Sequence, residues 1–336
     1  MKSMKRKILF VATSFILVLS SCSKERTVED CSEEGVIGNE FFTVSYFNEG
    51  TPTVSEPFSV NGNISYDTPF AENVSNGVDV VIPGIRVRSQ TNNFNITRVN
   101  IEERGNNEAC FFVQNEFNLS DSSFSTDIAS VLVLDMSTSL LGNIAQLKEY
   151  AKNYANTVVN SSNGSTVAVV FFSDRDAIQS TAFYTASNIG QLNTIIDNFS
   201  NYQERTALYQ AVQTGITLLD NLPFTGEKSI VAFTDGGDND SNNPSQLIAE
   251  INASDVEKFA IGLRGGDFQE SGLREIVSQT SNFVVADNIN DLENIFATVS
   301  RGVISVWEVR YTRSDQLLSS DETLQIRFSF ETEIIE

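Results

Sequence analysis

Val131-Leu132-Val133-Leu134-Asp135-Met136-Ser137-Thr138-Ser139 is the stretch on which the fold turns. Its apolar part, within the run Ala129 to Leu134, leaves no polar face for water, so a strand here must be covered on both sides. Further apolar runs of strand length follow at Val167 to Phe172, Ser229 to Phe233, Phe259 to Leu263 and Phe283 to Val285. Between them, Leu140, Leu141, Ile144, Leu147, Ala151, Tyr154, Ala155 and Val158 recur with helical period, as do Leu208, Ala211, Val212, Gly215, Leu219 and Leu222. Asn243-Pro244-Ser245-Gln246 predicts a helix start with a capping asparagine, proline at the first position and a capping-box glutamine. Buried strands alternating with amphipathic helices predict an α/β domain over residues 127–301: a doubly wound, mainly parallel sheet with helices on both faces.

Outside this domain the texture changes. Residues 41–122 carry short strand-like runs such as Phe41 to Phe47, Val78 to Ile82 and Ala109 to Val113, separated by Asn, Gly and Pro, which predicts a smaller all-β module. Val303 to Tyr311 and Leu324 to Phe330 show the same texture, and two strands alone are marginally stable. Residues 302–336 are therefore expected to complete the β module, leaving the α/β domain as an insert within it.

Composition bounds the chemistry. The 336 residues include 22 basic and 44 acidic side chains, a net charge of −22, and no histidine. Absence of imidazole excludes Ser-His-Asp triads, Cys-His dyads and histidine-containing zinc sites. An acidic surface repels phosphate backbones, so no nucleic-acid partner is expected. Hard cations suit such a surface.

At the amino end, Lys2, Lys5, Arg6 and Lys7 precede the apolar stretch Ile8 to Leu19, which is too short to span a membrane and reads as an export signal. Leu19-Ser20-Ser21-Cys22 resembles the lipobox of bacterial lipoproteins. That resemblance implies a signal peptide over residues 1–21 and a lipid on Cys22, and the charged, apolar-poor residues that follow read as a flexible tether over 22–40. By the sorting pattern of such lipoproteins, Ser23 implies the outer membrane of the cell envelope, with its periplasmic and surface faces both open. Cleavage would leave 18 basic against 44 acidic residues, a net −26. With Cys22 taken, Cys31 and Cys110 remain for a disulfide in an oxidising compartment, closing a loop of about 80 residues.

Three segments place oxygen-bearing side chains where a parallel sheet binds ligands, at the carboxyl ends of strands. They are Asp135-Met136-Ser137-Thr138-Ser139 after the first strand, Glu204-Arg205-Thr206-Ala207-Leu208 opening a helix, and Thr234-Asp235-Gly236 after a later strand. Together they resemble the metal-ion-dependent adhesion site of von Willebrand factor A (VWA) domains, over about 175 residues. The resemblance implies a metal site of Asp135, Ser137, Ser139, Thr206 and Asp235, holding Mg²⁺, with Mn²⁺ and Ca²⁺ as other candidates. A hard divalent cation seeks six oxygens in near-octahedral array, which three hydroxyls and two carboxylates can approach. The resemblance further implies no catalytic residue, and a protein or glycoprotein ligand whose acidic residue completes the coordination shell. Glu204-Arg205 departs from the family, where glycine often precedes this threonine.

Helix capping by the three hydroxyls and a plain turn at Asp235-Gly236-Gly237 are the structural alternatives. Asp238-Asn239-Asp240-Ser241-Asn242 hints at a calcium loop, but Asn243 stands where glycine belongs and Ala249 where a bidentate glutamate belongs, so it reads as a polar rim. A metal-stabilised envelope scaffold is the competing functional reading. A metal-dependent hydrolase ranks last, because no dedicated base or oxyanion-stabilising group is legible.

Overall fold

The computed structural model describes residues 38–47, 51–55, 57–74, 77–105, 108, 110–118, 126–265, 268–314 and 323–335. The expected signal peptide, Cys22 and Cys31 lie outside them. Cys110 is disulfide-bonded.

An antiparallel module opens the chain with β1 (Glu40–Phe47), β2 (Thr53–Val54), β3 (Phe58–Ser59), β4 (Asn63–Ser65), β5 (Phe70–Val74), β6 (Gly77–Arg88), β7 (Asn93–Arg104) and β8 (Phe112–Asn118). The α/β part follows: β9 (Ile128–Asp135), α1 (Ile144–Val159), β10 (Thr166–Phe172), β11 (Gln179–Ser180), α2 (Ile189–Asn198), α3 (Leu208–Asp220) and β12 (Glu227–Thr234). It continues through α4 (Pro244–Ala253), β13 (Glu257–Leu263), α5 (Glu270–Arg274), β14 (Phe283–Ala286) and α6 (Leu292–Ile304). The chain then returns to the first module as β15 (Trp307–Ser314) and β16 (Thr323–Ile334).

Strand β9 is buried along its whole length. Its side chains alternate between two cores, as a strand's period of two requires. Ile128, Leu132 and Leu134 pack with α1, α2 and α6, whereas Ala129, Val131 and Val133 pack with α3, α4 and α5. Gly215 lets α3 lie close on the sheet: a Cβ there would stand 2.6 Å from Ile230 Cδ1 and 3.1 Å from Val131 Cγ1. The sheet order is β11-β10-β9-β12-β13-β14, parallel except for the short edge strand β11. From β9 the chain first builds outward through β10 to β11, then crosses to β12 on the other side. The crevice between the carboxyl ends of β9 and β12 is thus the topological switch point, where open α/β sheets bind ligands.

In the other module β16 runs antiparallel between β1 and β7, and β15 pairs with β6. Strand β6 changes partners along its length, from β5 and β15 up to residue 85 to β4 and β7 over residues 86–88. Gly84 (φ 65°) supplies the bend, and the side chain of Asp67 fills the space a Cβ would take. One apolar core, including Phe42, Ile82, Ile101, Val309, Phe328 and Phe330, lies under this folded sheet. The two modules meet through ion pairs at the amino ends of the parallel strands. Arg86 contacts Glu227 at 3.0 Å and Arg88 contacts Glu257 at 2.6 Å. Burial lowers the Arg88 guanidinium to about 10, against the opposing pull of Glu257, so it stays charged at neutral pH.

Several local expectations shift. Leu140 and Leu141 sit in a 3₁₀ turn, Thr138–Asn143, ahead of α1, and Leu141 is 47% exposed rather than part of the buried stripe. Val303 and Ile304 finish α6 instead of starting a strand, because Val303 continues the buried helical stripe of Phe296 and Val299. Strand β8 begins at Phe112, so Cys110 and Phe111 precede it. Asn243 does occupy the cap position of α4, yet its side chain caps nothing. Its left-handed backbone (φ 53°) leaves its carbonyl to accept from the amides of Gln246 and Leu247, and Gln246 turns forward to Glu250.

Candidate metal centre

Asp135 is the last residue of β9 and is fully buried. Its Oδ1 accepts from the Ser137 amide at 2.8 Å and its Oδ2 from the Thr234 hydroxyl at 2.5 Å. The first bond folds Met136 and Ser137 into a tight loop. The second ties that loop across the switch point to the end of β12. Burial pushes the Asp135 carboxyl up to about 7; the bonds from Thr234 and Ser137 oppose the rise, and the charge of Asp235 adds to it. An anion kept in so dry a place is stabilised by a nearby cation.

The loop turns both serines toward one point. Ser137 Oγ lies 3.0 Å from Ser139 Oγ, and the Ser139 hydroxyl donates to Asp235 Oδ1 at 2.9 Å. Ser137 stands at the cap position of the 3₁₀ turn but makes no side-chain cap. Thr206 precedes the cap residue of α3, Ala207, and the first α3 amides, of Tyr209 and Gln210, donate to Asp238 Oδ1 and Ser241 Oγ rather than to Thr206. These hydroxyls are therefore not spent on helix ends, and capping does not account for them.

Thr206 reaches the same crevice by a different route. Its segment is joined to the serine loop through the Thr138 amide, which donates to Gln203 O at 2.9 Å. Its amide donates to Asn239 Oδ1 at 2.9 Å, while its carbonyl accepts from the amides of Asn239 and Asp240 at 2.9 and 3.2 Å. A Cβ on Gly236 would lie 3.5 Å from Thr206 Oγ1, so the hydroxyl faces the residue that follows Asp235.

All five expected site residues thus converge at the switch point. Among the described residues no group of three or more His, Cys, Asp or Glu side chains could hold a metal. What converges here is a mixed set of three hydroxyls and two carboxylates, the donor chemistry of a hard cation. The donor set fits such an ion.

Four residues outside the expected ligand set hold it in place. Thr234 anchors Asp135. Asn239 and Asp240, in the stretch set aside as a polar rim, bracket the main chain of Thr206. Asp240 is buried and accepts from Arg175 through its amide, Nε and Nη2, at 2.9, 3.2 and 2.7 Å. Those bonds hold its carboxyl well below the usual carboxylate range. The signal for Thr234 lay in its place beside Asp235. That for Asp240 and Arg175 was spatial, since the two are 65 residues apart.

A sequence profile of the von Willebrand factor type A domain matches residues 130–298. No curated protein matches the chain by sequence. Among solved structures, mussel byssus proximal thread matrix protein 1 with a zinc-occupied metal-ion-dependent adhesion site is 19% identical, with a TM-score of 0.47 over 63% of this chain and 50% of that one. The pilus adhesin SpaC of Lactobacillus rhamnosus GG, in its open conformation, is 13% identical, with a TM-score of 0.47 over 79% of this chain and 42% of that one. A von Willebrand factor type A protein from Catenulispora acidiphila is 10% identical, with a TM-score of 0.44 over 80% and 68%. The chain spans about half the length of the mussel protein.

Proposed function

The chain belongs to the von Willebrand factor type A family, and we propose that it is an exported, lipid-anchored binding protein that captures a protein or glycoprotein ligand through a divalent-cation centre. Asp135, Ser137, Ser139, Thr206 and Asp235 hold the ion, with Mg²⁺ as the expected occupant. A bound hard cation with an open coordination position would accept a carboxylate oxygen from the ligand. Ser137, Ser139 and Thr206 supply neutral oxygens, so the ion keeps an appetite for that further anion. Asp135 fixes the serine loop and contributes negative charge from beneath. No catalytic step is assigned to these residues.

The supporting observation is the chain of contacts from Ser137 Oγ through Ser139 Oγ to Asp235 Oδ1 at the switch point, made by hydroxyls that cap no helix. Cys22 as lipid anchor and the outer membrane as location rest on the lipobox resemblance, and the bridge to Cys31 on cysteine number. Affinity capture from envelope extracts tests the function. Retention of a ligand in Mg²⁺ that is lost in EDTA and in Asp135→Ala is the expected result. Capture that ignores both treatments would contradict it, and metal stabilisation without metal-dependent capture would favour the scaffold.

A further inference from the structure

Arg205 stands beside Thr206, where the family often has glycine, and its surroundings do not treat it as an ordinary surface arginine. Its Nη1 donates to Asp240 Oδ1 at 2.8 Å; the side chain of Asp240 is only 4% exposed, whereas that of Arg205 is 65% exposed. Asp240 already has a counter-charge, because Arg175 gives it three hydrogen bonds and spends Nη1 on Asn242. Arg205 is therefore surplus to the neutralisation of Asp240. One of its five N–H groups is anchored, and the others find no acceptor among the described residues. The neighbouring loops also carry acids, but two of these are engaged locally. Asp238 accepts from the Tyr209 amide and the Ser241 hydroxyl, and Asp174 from the Asp176 amide, while Asp176 and Glu204 are exposed.

A buried carboxylate thus holds a guanidinium at the rim of the metal centre with donors to spare. The segment carrying it is fastened to the serine loop through Thr138 and Gln203, so its position is tied to that of the site. A guanidinium fork matches a carboxylate in two-pronged geometry, which an ammonium does not. We propose that Arg205 is a second anchor for the ligand, and that the ligand is an acidic protein segment with two nearby carboxylates, one for the cation and one for Arg205. This rests on the metal-dependent capture proposed above and specifies its partner.

Two acetylated, amidated peptides, Gly-Glu-Gly and Gly-Glu-Glu-Gly, titrated into the whole protein by calorimetry in Mg²⁺ and in EDTA, provide the test. Wild type is expected to bind the two-carboxylate peptide roughly threefold to tenfold more tightly than the other, the scale of a partly exposed charge-assisted pair. Arg205→Ala should bring that ratio near one, and Arg205→Lys should restore it only in part. Unaltered melting temperatures would show that both variants fold. Equal affinities in wild type, or a ratio that survives Arg205→Ala, would overturn the second anchor while leaving metal-dependent capture intact. Binding of neither peptide, or binding that persists undiminished in EDTA, would overturn the capture reading and this inference with it.

Discussion

The two ends of the parallel sheet are both acidic, and they treat their acids in opposite ways. At the amino ends, Glu227 and Glu257 meet Arg86 and Arg88 of the β module at 3.0 and 2.6 Å. At the carboxyl ends, Asp135 accepts from a backbone amide and a hydroxyl, and Asp235 accepts from a serine. A guanidinium cancels a carboxylate's charge, whereas a hydroxyl only solvates it. One end is consequently a closed structural joint, while at the other the buried Asp135 is solvated by an amide and a hydroxyl rather than by a guanidinium. Asp240 shows the same logic within a single loop: placed among the site's neighbours but paired with Arg175, it serves as scaffolding.

Breaking the joint should have the largest effect. Arg88→Ala removes one partner of a buried ion pair and is expected to lower unfolding stability by about 3 kcal/mol, read by urea denaturation and equal with and without Mg²⁺. Next comes the metal itself. Saturation at a hundred times the dissociation constant should stabilise the protein by about 2.7 kcal/mol, seen as a rise in melting temperature that EDTA reverses. Asp135→Asn, which retains an acceptor for the serine loop, should abolish that rise. A stabilisation that persisted in this variant would place the ion elsewhere.

Asp240→Asn probes the support rather than the ligands. Loss of charge there loosens the hold on Arg175 and Arg205 and the bracket around Thr206. Supporting residues of this kind typically cost about tenfold in metal affinity, measurable by Mn²⁺ titration; an unchanged affinity would show that Thr206 is held without it. Smallest of all, Glu149→Ala removes an exposed contact to Lys152 and should change stability by less than about 0.5 kcal/mol. A larger loss would mean that surface pairs contribute more here than the comparison between the sheet ends allows.

How much of this was legible follows from the range of each interaction. The apolar run ending at Leu134 announces a strand covered on both faces, because burial on both faces forbids polar alternation. Its extension by Asp135 into β9 was not legible from hydropathy. Motif spacing located the two serines and Asp235, since their placement depends on a loop closed by a contact between Asp135 and Ser137. Leu141 misleads because hydropathy cannot distinguish a helix from a 3₁₀ turn that swings the side chain to the surface. The long-range pairs Arg88–Glu257 and Arg175–Asp240 left no local trace. Arg205 was visible as a departure from the family, but its meaning required the position of Asp240.

The most direct test of the cation centre at the switch point is the anomalous scattering of a crystal grown in Mn²⁺. The expected result is one strong peak within bonding distance of Ser137 Oγ, Ser139 Oγ and Thr206 Oγ1, with Asp135 and Asp235 close around it. A fully occupied Mn²⁺ bound elsewhere, with Ser139 still donating to Asp235 and no peak between them, would contradict it.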